Sequence, residues 1–246
     1  MALLENVVDS VCYQPMIEIE PGPDLTRLPA LMAQQDVDIL IFVSGFAVDY
    51  FITGLKTVEH GEKIKQTAMV AVGASTAKKL HQWTSQTVIS AVPETTEGLL
   101  ALAPLQAEQV NGKNIVIVRG LGGRELLAEQ LQSRGAKTVY WQLYQRLGIT
   151  GKGQQWLPQW QSNNIDSIVI TSIAIFDSLL ENLTGKKAGN LAAVAMPWLC
   201  QLKWVVASDR IAQHIGQSGI PSGQIFNANG ASDQAVFEQV KRIIEN

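Results

Sequence analysis

The chain has 246 residues, 46% of them hydrophobic and 17% charged, with a formal net charge of −3 and an isoelectric point near 5.6. That is globular composition, not that of a disordered segment, and length allows one large domain or two of roughly 100–150 residues. The mild acidity excludes a general nucleic-acid binder, which would be basic, and leaves room only for a local positive site.

The apolar runs are strand-length and broken by polar residues, so neither a secretory leader nor a membrane-spanning helix is expected. Cys12 and Cys200 form no CxxC pair and read as two reduced, buried thiols of a cytosolic protein. His60, His81 and His214 lack the spacing of metal ligands.

In chain order, CYQPMIEIEPGPDL (12–25) is an extended stretch stopped by P-G-P, with Glu18 and Glu20 on one face. Five short Val/Ile-rich runs follow: DILIFVS (38–44), AMVAVG (68–73), NIVIVRG (114–120), DSIVITS (166–172) and KWVVAS (203–208). Each leads into a segment of helical period: FAVDYFITGL, STAKKLHQW, RELLAEQLQSRG, IAIFDSLLENL and RIAQHIGQSG. Strands without polar alternation predict burial on both faces, and their alternation with helices predicts parallel, doubly wound α/β sheets. KTVYWQLYQRLGITGKG (137–153) is a second long extended run, on which Tyr140 and Tyr144 are spaced to share a face.

A weak internal repeat runs through this order. DILIFVS pairs with DSIVITS, AMVAVGASTAKKL (68–80) with KWVVASDRIAQHI (203–215), and VPETTEGLL (92–100) with NANGASDQAVF (227–237). The last two are loops entering helices with Thr or Ser at the N-cap. Two similar α/β halves are therefore predicted. The two long extended segments bracket one of them, so residues 19–146 form a domain inserted into a discontinuous one, 1–18 with 147–246. The chain crosses near Glu18 to Glu20 and returns near Tyr144 to Leu147, and the crossings are expected to lie side by side as a two-stranded ladder.

The turn after NIVIV reads Arg119-Gly120-Leu121-Gly122-Gly123-Arg124. A glycine loop between strand and helix aims backbone N–H groups at an anion. G-x-G-G-R fits neither GxGxxG nor GxxxxGK[ST], and no acidic residue stands at the ribose position, so NAD and ATP are not expected. Guanidinium groups suit carboxylates. The same residues also describe a tight turn with solvated arginines. Ser44, Thr76, Ser172 and Ser208 each fall just past an apolar run, where parallel sheets bind ligands. Alone, each reads equally as a helix cap; together they point to a cleft shared by the two halves. No GxSxG elbow or HExxH motif is present.

This ordered set resembles the bacterial uroporphyrinogen-III synthase family. PMIEIEPG resembles the family's first crossing, DILIFVSGFAV its strand-serine-helix segment and AVGASTAKKL its Gly-x-x-Thr-Ala segment. VPETTEGLL and IVRGLGGRELLAEQLQSRGA are close to family wording. LYQR resembles the tyrosine-bearing return crossing, and IVITS and VVASDRIA the later strands. The resemblance implies two flavodoxin-like (Rossmann-like) domains joined by a two-stranded linker. It implies a monomeric cytoplasmic hydro-lyase without metal or organic cofactor, acting on hydroxymethylbilane handed over by the preceding deaminase. The product is uroporphyrinogen III, formed by inverting ring D through a spiro intermediate, on the route to haem. Neither nucleic acid nor membrane is implied as a partner.

Carried onto this sequence, the resemblance makes Tyr144 the hydrogen-bond donor to the leaving hydroxyl. Ser44, Thr76 and Ser172 line the cleft, and Arg119, Gly120, Gly122, Gly123 and Arg124 hold carboxylates. Ser208 and Arg210 stand where many members have Thr-Thr-Ala and resemble the Ser-(Asp/Glu)-Arg version. No single residue is expected to be indispensable. Two departures are visible. Ile173-Ala174 follow Ser172 where relatives often have glycine and an acidic residue. ALLENVVDSVCYQP resembles the end of the family's first helix, without the preceding strand and its Thr-Arg-Pro, which predicts low stability or solubility and reduced activity. The alternatives in view are a bilobal protein that binds an anionic tetrapyrrole-like ligand without chemistry, and a nucleotide-dependent enzyme of the same fold class.

Overall fold

The computed structural model describes residues 3–55, 64, 67–185 and 191–245. The chain divides into two compact units, a continuous one from Ile19 to Arg146 and a discontinuous one of Met1–Glu18 with Leu147–Asn246.

The continuous unit is built on β1 (Ile17–Pro21), α1 (Leu28–Gln34), β2 (Ile39–Phe42), α2 (Gly45–Leu55), β3 (Ala68–Ala71), α3 (Ala74–Trp83), β4 (Val88–Ser90), α4 (Thr96–Ala101), α5 (Ala107–Val110), β5 (Asn114–Gly120), α6 (Leu126–Ser133) and the twelve-residue β6 (Lys137–Gly148). The sheet order is β1-β6-β5-β2-β3-β4. β2 pairs in parallel with β3 and β5, β3 with β4, and β5 with β6. β1 runs antiparallel beside β6: Ile149 N–H donates to Met16 O at one end, and Gly22 N–H to Leu143 O at the other.

The five parallel strands thus follow the Rossmann order of doubly wound folds, reversing between β2 and β5. Both faces of the sheet are covered, as strands without polar alternation require. Leu40, Phe42, Val116, Val118, Trp141 and Leu143 pack under α1, α2 and α3. Ile39, Ile41, Ile115 and Ile117 pack under α4, α5 and α6.

The discontinuous unit contains α7 (Gly153–Ser162), β7 (Ser167–Ile170), α8 (Ile173–Thr184), α9 (Leu191–Leu199), β8 (Lys203–Val206), α10 (Asp209–Gln217), β9 (Ile225–Asn227) and α11 (Asp233–Ile244). Its parallel sheet is β7-β8-β9. The three repeat pairs therefore fall on equivalent elements, β2-α2 with β7-α8, β3-α3 with β8-α10, and the entries to α4 and α11. Thr95 and Ser232 cap those last two helices, accepting Gly98 N–H and Ala235 N–H. One face of the sheet, through Trp204 of β8, meets Trp156, Trp160 and Phe176; the other meets Val236, Val240 and Ile243 of α11.

Three expectations change here. β7 is not buried on both faces: Val169 is 38% exposed, because β7 is the outer strand and α11 packs on Val205 of β8 instead. The segment expected to be the end of a helix is a 3₁₀ turn at Leu4–Asn6, after which residues 10–16 run without regular structure; the β-branched Val7-Val8 gives an α-helix little support. The thiols are free but not buried: Cys12 is exposed on that irregular run, and Cys200 is half-buried.

Candidate functional site

Ligands of doubly wound sheets bind beyond the carboxyl ends of the strands where the order reverses. In the continuous unit that point lies past β2 and β5, which deliver Ser44 and Gly120. Ser44 ends the β2 segment and caps α2, its Oγ accepting Ala47 N–H at 3.1 Å. The same oxygen lies 2.9 Å from Tyr144 Oη.

Tyr144 reaches this position through a break in register. β5 and β6 pair residue for residue as far as Arg119 with Gln142; Gly120 then pairs with Tyr144, skipping Leu143. The extra residue is a β-bulge, and it turns one side chain to the other face. Spacing alone put Tyr140 and Tyr144 on one face. In the structure Tyr140 packs on the α4–α6 side and Tyr144 on the α1–α3 side.

The Tyr144 ring is 4% exposed. Tyr50 stacks on it at 5.9 Å between centroids and Phe46 tilts against it at 5.8 Å. Tyr50 is itself held by donating to Ile19 O. Gly120 lies directly under the ring: a Cβ there would come 2.7 Å from Tyr144 Cε2 and 2.8 Å from Cζ. Gly120→Ala is therefore expected to displace the phenol, the overpacking costing about 1–3 kcal/mol. A melting curve checks this.

On the opposite face, Arg119 is buried at 5% exposure and serves the turn itself. Its Nε donates to Gly120 O and its Nη1 to Arg124 O, and Glu125 pairs with it at 3.7 Å. Its guanidinium lies 4.5 Å from the Tyr140 ring centroid. Arg119 is thus an internal brace, not an outward carboxylate ligand. Gly122 and Gly123 take positive φ, 76° and 103°, the region glycine enters at no cost, and both are exposed with Arg124.

Tyr140 Oη is buried without a hydrogen-bond partner. Burial, and then the nearby Glu125 carboxylate, push its phenol up to about 12 against the weaker opposing pull of Arg119. A folded-state value above the unfolded one means the stabilising neutral form is complete below pH 10 and is lost as pH rises through about 12. Tyr140→Phe is expected to remove that alkaline loss. Because it deletes an unpaired buried hydroxyl, it should leave stability at pH 7 unchanged or raise it by up to about 1 kcal/mol. Urea titrations at pH 7 and pH 11 test this.

The other predicted residues divide. Thr76 is 2% exposed, packed in the first turn of α3, and so does not line an open surface. The N-terminus of that helix is occupied by the chain's own carboxylate: Ala74 N–H donates to Glu94 Oε1 at 2.8 Å. In the discontinuous unit Ser172 caps α8, accepting Ile175 N–H at 3.3 Å as Ser44 accepts Ala47 N–H. Ser208 is the N-cap residue of α10 without a side-chain cap bond, and Arg210 is exposed beside it. Phe46, Tyr50 and Glu94 carry no motif. Phe46 and Tyr50 stand four apart on α2, a helical spacing, which was the available signal.

Among the described residues no cluster of three or more His, Cys, Asp or Glu could hold a metal, and no helix is long and apolar enough to cross a membrane. His60 lies outside the described residues.

Fold and site together define a Rossmann-type α/β protein whose switch point carries hydroxyls, aromatic rings and a glycine turn in place of a dinucleotide fingerprint. Residues 3–225 match the family model described as uroporphyrinogen-III synthase HemD. Uroporphyrinogen-III synthase of Escherichia coli (strain K12) is 30% identical over 204 residues, 81% of this chain and 78% of that protein. The synthase of Proteus mirabilis is 30% identical over 185 residues, 73% of this chain and 92% of that protein. The chain belongs to the uroporphyrinogen-III synthase family. The fold is also that of two solved structures. Uroporphyrinogen-III synthetase from Helicobacter pylori 26695 has TM-score 0.61 at 16% identity, covering 96% of this chain and 94% of that one. A mutant synthase from the extremely thermophilic bacterium Thermus thermophilus has TM-score 0.53 at 16% identity, covering 99% and 92%.

Proposed function

We propose that the protein is a uroporphyrinogen-III synthase, a hydro-lyase that closes hydroxymethylbilane with inversion of ring D. The observation that carries this is the extent of the family match, which runs from residue 3 to residue 225 and so takes in every candidate residue.

The reaction begins with cleavage of the hydroxymethyl C–O bond. The electron pair leaves with oxygen, which takes up a proton and departs as water. The adjoining pyrrole nitrogen feeds its lone pair into the ring, giving an azafulvene cation. Ring D attacks that carbon through its substituted position to form the spiro intermediate. The old bridge bond then breaks, and the freed bridge carbon bonds to ring D's unsubstituted position. Loss of the proton there restores the pyrrole and balances the proton taken up by the leaving oxygen.

Tyr144 is the donor to the leaving oxygen in this reading. What supports it is a phenol fixed on three sides at the switch point of the sheet. Gly122, Gly123 and Arg124 offer N–H groups and a cation to the substrate's carboxylates, and Ser172, Ser208 and Arg210 offer hydroxyls and a second cation. Arg119 and Thr76, both buried, support the turn and the core. The aromatic wall of Phe46, Tyr50 and Tyr144 suits a delocalised cation. Most of the rate comes from holding the bilane so that ring D's substituted carbon lies nearer than its free one.

The chain crosses between domains at Glu18–Ile19 and Arg146–Leu147, with β1 and β6 as the linker. The protein works as a cytoplasmic monomer that receives hydroxymethylbilane from the deaminase. Porphobilinogen with that deaminase yields isomer I spontaneously. Adding this protein is expected to shift the product to isomer III; tetrapyrrole binding with no rise in isomer III would leave only a binding function.

A further inference from the structure

We propose that Ser44 is a positioning residue that sets the direction of the Tyr144 proton, not a substrate ligand. The inference rests on the reading of Tyr144 as the donor to the leaving oxygen.

A serine hydroxyl has one proton and two lone pairs. At Ser44 one lone pair is taken by Ala47 N–H at 3.1 Å, and the oxygen sits 2.9 Å from Tyr144 Oη. Two arrangements satisfy that distance. In one, Tyr144 donates to Ser44 and its proton is spent inside the protein. In the other, Ser44 donates to Tyr144 and the phenol proton points away, free to reach a substrate oxygen. Only the second serves departure of water.

Everything else about the phenol is fixed. Tyr50 and Phe46 hold the ring, Gly120 lies beneath it, and Arg146 stands 5.9 Å from its centroid. Rotation about the phenolic C–O bond is the remaining freedom, and Ser44 is the hydrogen-bond partner that decides it. As the leaving oxygen draws the phenol proton, negative charge grows on Oη. The Ser44 O–H then strengthens its bond to that oxygen, backed by Ala47 N–H in the first turn of α2, where the helix carries partial positive charge. The chain Ala47 N–H, Ser44 O–H, Tyr144 O–H is cooperative in one direction only, outward.

A double-mutant cycle tests this on the whole protein, using the coupled isomer III assay. Ser44→Ala is expected to lower kcat about tenfold with KM changed less than about twofold, and Ser44→Thr, which keeps the hydroxyl, to restore most of it. In a Tyr144→Phe background, Ser44→Ala is expected to change kcat less than about twofold, because the proton it directs is gone. Ser44→Ala also removes a helix cap, so melting temperatures are read in both backgrounds; the cap effect appears equally in each, whereas the kcat effect does not. An equal fall of kcat in both backgrounds, or a rise in KM at constant kcat, overturns the positioning role and makes Ser44 a direct substrate contact. Wild-type kcat in Tyr144→Phe alone would instead sink the Tyr144 reading, and the Ser44 role with it.

Discussion

Tyr144→Phe is expected to lower kcat about 100-fold while the variant stays folded. The phenol is held on three sides at the switch point, and a positioned proton donor contributes about 10²–10⁴-fold to departure of a poor leaving group. The low end applies here, because the pyrrole nitrogen pushes the oxygen out from the other side. The ring itself remains, so the contacts with Phe46, Tyr50 and Gly120 survive the substitution. What is lost from the fold is one hydrogen bond to Ser44, about 0.5–1.5 kcal/mol. The residual product is expected to remain isomer III, since the path taken by ring D depends on how the bilane is held and not on the leaving-group donor. Product isomers separated by chromatography, together with kcat and a melting curve, decide it. A variant that turns over at the wild-type rate removes Tyr144 from the chemistry. One that turns over slowly to isomer I gives it a folding role on the bilane.

The fold was legible because strand and helix each left a clean signal. DILIFVS, AMVAVG, NIVIVRG, DSIVITS and KWVVAS all became strands, and each was followed by the helix its period announced. What the sequence concealed was geometry that depends on partners. The spacing of Tyr140 and Tyr144 says one face, but the skipped Leu143 makes it two; a bulge is a property of the pairing, and nothing in WQLYQR marks it. Arg119 looks like a surface arginine because it flanks glycines, yet the turn curls its own carbonyls around the guanidinium. Thr76 follows a glycine at a strand end, as an anion ligand would, yet it faces the core. Glu94, twenty residues on from Ala74, occupies that helix start instead. The half-exposed β7 carries the same Val/Ile composition as the buried strands, because composition reports the kind of element and not what covers it. The candidate site was thus readable as a list of residue types at strand ends, and unreadable as a division of labour among them.

The largest stability effect is expected at Trp204→Ala, about 3–5 kcal/mol, and confined to the discontinuous unit. Trp204 is fully buried on the central strand β8. Its ring meets Phe176 edge-to-face at 5.6 Å, and its indole N–H donates to Leu199 O at 3.0 Å. Truncation therefore opens a cavity where α8, α9 and β8 converge and leaves the Leu199 carbonyl without its donor; the two costs add. Such a loss is a large fraction of the total stability of a domain this size. The continuous unit keeps its own two cores, so its β2, β3 and β5 should be spared. Hydrogen exchange shows whether that is so: amides of β7, β8 and β9 are expected to lose protection in Trp204→Ala while those of β2, β3 and β5 retain it. Equal loss in both sets would mean that the two units unfold as one.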